Sequence, residues 1–191
     1  VGGRPEKPLE KAEEAKVSGW GIREPIGFGA LLGIMIVDNC TRNGFLTFVA
    51  FLLIAGNVDT ELAAMAIPAI LLGGMWGKLA CGVLAERVGI IRTVIITEIG
   101  TAIGIVVMIF IEGDMALFLL PLLGIVLNGT SSVLQGTIGD LVDQERQSRA
   151  FGLFFAISAA CGIAAPLGFG LLADAISIPT TMFVIAGILL L

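Results

Sequence analysis

Five apolar stretches, at 26–55, 62–85, 93–111, 115–138 and 150–172, and a shorter sixth at 179–191 are separated by brief polar turns. A helix rising about 1.5 Å per residue needs about 20 apolar residues to cross a bilayer core, and the first five reach or nearly reach that length. Polar and apolar positions do not alternate, which argues against the dyad segments of an outer-membrane barrel. The pattern predicts an all-α membrane protein, a bundle of six transmembrane helices with the last one truncated. Residues 1–25 mix both charges with proline and glycine, and predict a solvated linker with one short helical candidate at 8–16. The division is therefore a linker, 1–25, and a helical bundle, 26–191.

Composition agrees: 57% of residues are hydrophobic and 14% charged, against about 25% charged in soluble domains. The first residue is valine and the last apolar run is short, so the chain is expected to be a fragment. Its opening residues lack the order of a signal peptide. The net charge of -5 says little about partners when the charges sit in short loops, and no basic, aromatic-interleaved surface points to nucleic acid. Cys40, Cys81 and Cys161 lie in apolar surroundings without metal-ligand spacing and read as small buried hydrophobes. No cofactor is expected.

Lysine and arginine set the orientation. Arg4, Lys7, Lys11, Lys16 and Arg23 precede the first span, Lys78, Arg87 and Arg92 flank the second turn, and Arg146 and Arg149 lie between the fourth and fifth spans. The opposite loops hold acids and neither basic residue type. The positive-inside rule then puts the linker and these turns in the cytoplasm of a multi-pass inner (plasma) membrane protein. Only Arg42 falls outside this scheme. A short echo, "GVLAE" at 82–86 and "GLLAD" at 170–174, closes the second and fifth spans and suggests two three-helix units of opposite orientation, a 3+3 inverted repeat.

The turn "GVLAERVGIIR", 82–92, holds Gly82, Glu86, Arg87, Gly89 and Arg92 in an order that resembles the cytoplasmic loop signature of the major facilitator superfamily. Physically, Gly82 would let a neighbouring helix approach, Glu86 would pair with Arg87 or face a helix end, and Gly89 would take a sharp turn. Glu86 departs from the family's usual aspartate. A second resemblance is the stretch 139–174, where Asp140, Arg149, Gly152, Gly162, Pro166, Gly168 and Gly170 fit the family pattern and Asp143 stands where proline is common. The resemblance covers the chain after residue 25 and implies the carboxy-terminal six-helix half of a twelve-helix transporter, whose partner is the missing amino-terminal half. "DNCTRNGFLTF" and the stretch 77–98 look most like bacterial drug-efflux members, fosmidomycin-resistance-like carriers among them.

The first span carries "DNCTRN" at 38–43. Asp38 and Arg42 are four apart, share a helix face and can pair. Each alone would cost about 2.5–3.5 kcal/mol at mid-bilayer on the insertion scale, so a polar environment is implied. By the resemblance this span is the seventh of the full transporter and lines its central cavity. Asp38 is then expected to take up and release a proton, Arg42 to keep it ionised until substrate or a conformational change separates them, and Asn39 and Asn43 to contact substrate. A static packing pair is the structural alternative. Gly44 fits either a bend or a close helix contact.

Lys78 and Glu98, at similar depth in adjacent spans, are expected to form a structural pair. Asn128, Ser131, Ser132 and Gln135 give the fourth span a polar face, with Asn128 and Gln135 the substrate-contact candidates beside a purely interhelical role. Trp20 and Trp76 read as interfacial anchor and packing residue. The chain contains no histidine, which removes serine-histidine and cysteine-histidine dyads and histidine metal sites, and no Walker A loop; an enzyme is not expected. A proton-coupled carrier exporting a small organic molecule is the primary expectation. An uptake carrier of the same superfamily and a non-transporting six-helix scaffold are the alternatives.

Overall fold

The computed structural model describes residues 21–190 apart from 112 and 114, so the helical candidate at 8–16 lies outside the described residues. Seven α-helices occur in the described chain: α1 Pro25–Ala55, α2 Thr60–Ala64, α3 Ala66–Val88, α4 Ile90–Phe110, α5 Met115–Leu141, α6 Gln147–Ala175 and α7 Ile178–Ile188. A 3-10 turn, Gln144–Arg146, leads into α6. The stretches Thr60–Val88, Ile90–Phe110, Met115–Leu141 and Gln144–Ala175 are each long and apolar enough to cross a membrane. At 31 residues α1 has the length too, with its polar patch at the middle. Among the described residues there is no strand, only one isolated bridge between Ile22 and Val142. The chain is a multi-pass helical membrane protein.

Discounting the five-residue α2, the order is two triples, α1-α3-α4 and α5-α6-α7. The echoed pentapeptides occupy the C-terminal turns of α3 and α6, the second helix of each triple. The second apolar stretch proves to be two helices, because the chain breaks at Met65 just ahead of Pro68, whose ring is tolerated only in the first turn of a new helix.

Glycines decide which helices meet. A Cβ at Gly73 would fall on the Pro121 carbonyl, one at Gly77 on the Ile125 carbonyl, and one at Gly124 on the Ile70 carbonyl. Backbone therefore touches backbone between α3 and α5, the contact that small residues permit in membranes. α1 packs on α6, where Gly44 receives the Phe169 ring at 2.5 Å from its would-be Cβ. Gly44 is thus a close-contact glycine, and α1 runs unbroken through it. Gly82 differs from its sequence reading: among the described residues nothing lies within 4 Å of a Cβ placed there, so no described helix uses it as a contact.

Gly89 joins α3 to α4 at φ 92°, ψ 157°. That backbone is hostile to any Cβ. Gly89→Ala is expected to destabilise the folded protein by about 1–2 kcal/mol, seen as a lower melting temperature in detergent, whereas Gly82→Ala should melt like the parent.

The end of the linker is fastened to the far end of α5. Arg23 N–H donates to the Leu141 carbonyl at 2.9 Å and Asp143 N–H to the Gly21 carbonyl at 2.8 Å, while Arg23 Nε and Asp143 Oδ1 form an exposed ion pair at 2.8 Å. Asp143 has φ -60°, which proline would satisfy, yet proline has neither the N–H nor the carboxylate used here.

Candidate functional site

Buried apolar residues fall into two clusters. One gathers Phe45, Val49, Ala102, Ile105, Leu123, Leu127 and Ile185; the other gathers Phe28, Met35, Val94, Val133, Ile138 and Phe154. Between them the sequence turns polar on three helices at once. On α1 the buried Asp38, Asn39 and Thr41 separate Met35 from Phe45; on α4 Thr97 and Thr101, with Glu98, separate Val94 from Ala102; on α5 Asn128, Thr130 and Ser131 separate Leu127 from Val133. Antiparallel helices reverse the order of the flanking clusters but keep the polar residues between them. The result is a polar belt halfway along the bundle.

Hydroxyls and amides in the belt are answered locally. Thr41 Oγ1 lies 2.7 Å from the Val37 carbonyl, Asn39 Nδ2 donates to the Met35 carbonyl at 2.9 Å, and Asn43 Nδ2 to the Asn39 carbonyl at 2.7 Å. The Thr130 hydroxyl donates to Thr97 Oγ1 at 2.8 Å, tying α5 to α4. Back-bonding of this kind satisfies a polar side chain within its own helix.

The carboxylates are treated differently. Arg42 donates to Asn39 Oδ1 at 2.6 Å and makes no ion pair with Asp38, so the expected i, i+4 bridge is not formed. Asp38 is 4% exposed, and its Oδ2 has no hydrogen-bond partner. It is buried within the bundle, in electrostatic reach of Glu98 on α4, where the sequence reading expected it to face water and substrate. Arg42 and Asn43 are half-buried.

Glu98 is the residue whose surroundings the sequence reading missed. It makes no ion pair with Lys78. Its carboxylate lies within electrostatic reach of Asp38 and Arg42 and beside the Thr130 hydroxyl, and its buried Oε1 is unpartnered. Glu98 also lines a cavity of about 520 Å³ together with Val37, Gly33, Ile34, Ile95 and Leu189, which gives the cluster an approach from one side. Two carboxylates and one guanidinium sum to one negative charge in a place where isolated charge is expensive, so one proton or one monovalent cation would neutralise the group.

Lys78 stands twelve residues after Ala66 and ten before Val88, at the middle of α3 rather than near its end at the Gly89 turn, and it is exposed. Asn128 is buried on α5 with Nδ2 donating to the Gly124 carbonyl at 3.3 Å. Gln135 is half-buried two turns nearer the end of α5. Trp76 is exposed and lies outside the two buried clusters of the described residues. Glu86, Arg87 and Arg92 are all exposed, and among the described residues Glu86 makes no ion pair with Arg87; Arg87 in the last turn of α3 complements the helix dipole. The cysteines are free, Cys81 and Cys161 buried and Cys40 half-buried.

No protein-family model matches the sequence, and no curated protein matches it significantly. Among solved structures it is similar to a crystal structure of the peptide transporter POT in complex with sulfate, with a TM-score of 0.70 and 19% identity. The alignment covers 87% of this chain and 36% of that one, so the chain spans about a third of its neighbour's length. At that identity the likeness speaks to architecture alone: the chain is an all-α helical bundle with the fold of about a third of that neighbour.

Proposed function

We propose that this chain is one half of a secondary active transporter that works by rocking two helical bundles about a mid-membrane site, exporting a small organic molecule in exchange for protons. The observation that carries the reading is the pair of unpartnered carboxylate oxygens, Asp38 Oδ2 and Glu98 Oε1, buried at mid-bundle around one arginine. A static packing network would bond such atoms, because an unmet buried acceptor lowers stability; a group that must gain and lose a proton leaves room for it. Asn39, Asn43, Asn128 and Gln135 are the polar groups offered to substrate, and the Gly82–Arg92 turn, unpaired within the described chain, is offered to the other half as a cytoplasmic gate. The linker is assigned to the cytoplasm. No covalent chemistry is assigned to the chain.

The test is drug accumulation in efflux-deficient bacteria carrying the complete gene, with the natural protein, Asp38→Asn and Glu98→Gln at equal membrane levels and a protonophore control. The natural protein is expected to lower accumulation of at least one compound, and the protonophore and either substitution to remove that effect. Variants that export like the natural protein would leave the carboxylates as packing residues. If instead accumulation rises with the natural protein, uptake replaces export.

A further inference from the structure

Lys78 is a mid-helix cation that the Asp38 cluster does not engage. Its place at the centre of α3 puts it about 15 Å of helix from the nearer end. Lysines near helix ends stretch their stems to the headgroups; at this depth the ammonium needs a polar neighbour or an anion. Among the described residues no acid pairs with it.

What lies beside it is a groove of about 440 Å³ between α3 and α5, lined by Lys78 and Asn128 and walled by Pro68, Leu71, Leu72 and Met75. Gly74 makes room for the amide: a Cβ there would sit 2.6 Å from Asn128 Nδ2. One N–H of that amide is held by the Gly124 carbonyl, which leaves the second for a ligand. An ammonium and an amide N–H, set in an apolar wall, match the two oxygens of a carboxylate with a hydrophobic body behind it. Lipid headgroups do not reach this depth.

We infer that Lys78 and Asn128 form an anion subsite that binds the carboxylate of a small, otherwise apolar organic acid. As a statement about the transported substrate it rests on the transporter reading; as a statement about binding it does not.

The probe is benzoate, with benzamide as its neutral counterpart, added to the full-length protein in zwitterionic nanodiscs while tryptophan emission follows thermal unfolding. Benzoate is expected to raise the melting temperature saturably and benzamide not to. Lys78→Met should weaken benzoate by about tenfold or more, Lys78→Arg should hold it within about threefold, and Asn128→Asp, which sets a competing carboxylate beside the ammonium, should abolish the response. If Lys78→Met does not fold, the arginine and aspartate variants carry the test. Equal response to benzamide, an unchanged Kd in Lys78→Met, or no response because an acid of the other half occupies the groove would each overturn the subsite. Lys78-dependent binding without proton-driven transport would sink the transporter reading and leave the subsite standing; transport with Lys78-independent binding would do the reverse.

Discussion

Leucine at Gly77 is expected to abolish recovery of folded protein, and alanine there to lower the melting temperature by several degrees. The reason is geometric. The Gly77 Cα faces the Ile125 carbonyl of α5, with Gly73 on Pro121 one turn earlier and Gly124 on Ile70 in return, so there is no side chain that could rotate aside. Even one methyl group must push α3 off α5 along their whole contact. Overpacking in a core usually costs about 1–3 kcal/mol, and against backbone the upper end applies, a drop on the order of 10 °C for a domain of this size. Gly82→Leu, at a glycine of the same helix with open space around it, is the control. Fluorescence-detected size exclusion of the intact protein would separate the two, and equal monodisperse peaks for Gly77→Leu and Gly82→Leu would refute the backbone contact.

Asn in place of Asp38 is expected to keep or raise thermal stability while reducing proton-driven flux by about tenfold or more. The substitution preserves shape and removes a buried charge whose Oδ2 has no partner, returning part of the about 2.5–3.5 kcal/mol that a charge costs at mid-bilayer. Substrate exchange, which moves no net proton, should survive. That combination of higher stability, lost driven flux and retained exchange is hard to obtain from a packing residue. A lower melting temperature in Asp38→Asn, with exchange and driven flux falling together, would return the residue to a structural role.

The long helices were legible because lipid imposes a length on apolar stretches, and α4, α5 and α6 lie within three residues of their expected bounds. The break between α2 and α3 was obscured because Met65 is as apolar as its neighbours. Contact partners were harder. Lys78 and Glu98 are eleven residues before and nine after the Gly89 turn, so depth alone made them plausible neighbours. Rotation about the helix axis separates them: Gly73 and Gly77 turn α3 onto α5, while Thr97, beside Glu98, is bonded to Thr130 on α5. Depth is written in spacing along one helix. Facing is written in small residues on two helices read jointly, and a linear reading does not join them. Asp38 was visible as a charge in an apolar run, but that Arg42 would choose Asn39 depended on side-chain reach.

The clasp formed by Gly21, Arg23, Leu141 and Asp143 has a mechanical side. A pull arriving along the linker does not first peel α1 from the bundle; it loads two short hydrogen bonds at the terminus of α5, the helix bearing Asn128 and Thr130. The linker is thereby a leash tied to the spine of the bundle rather than to its rim.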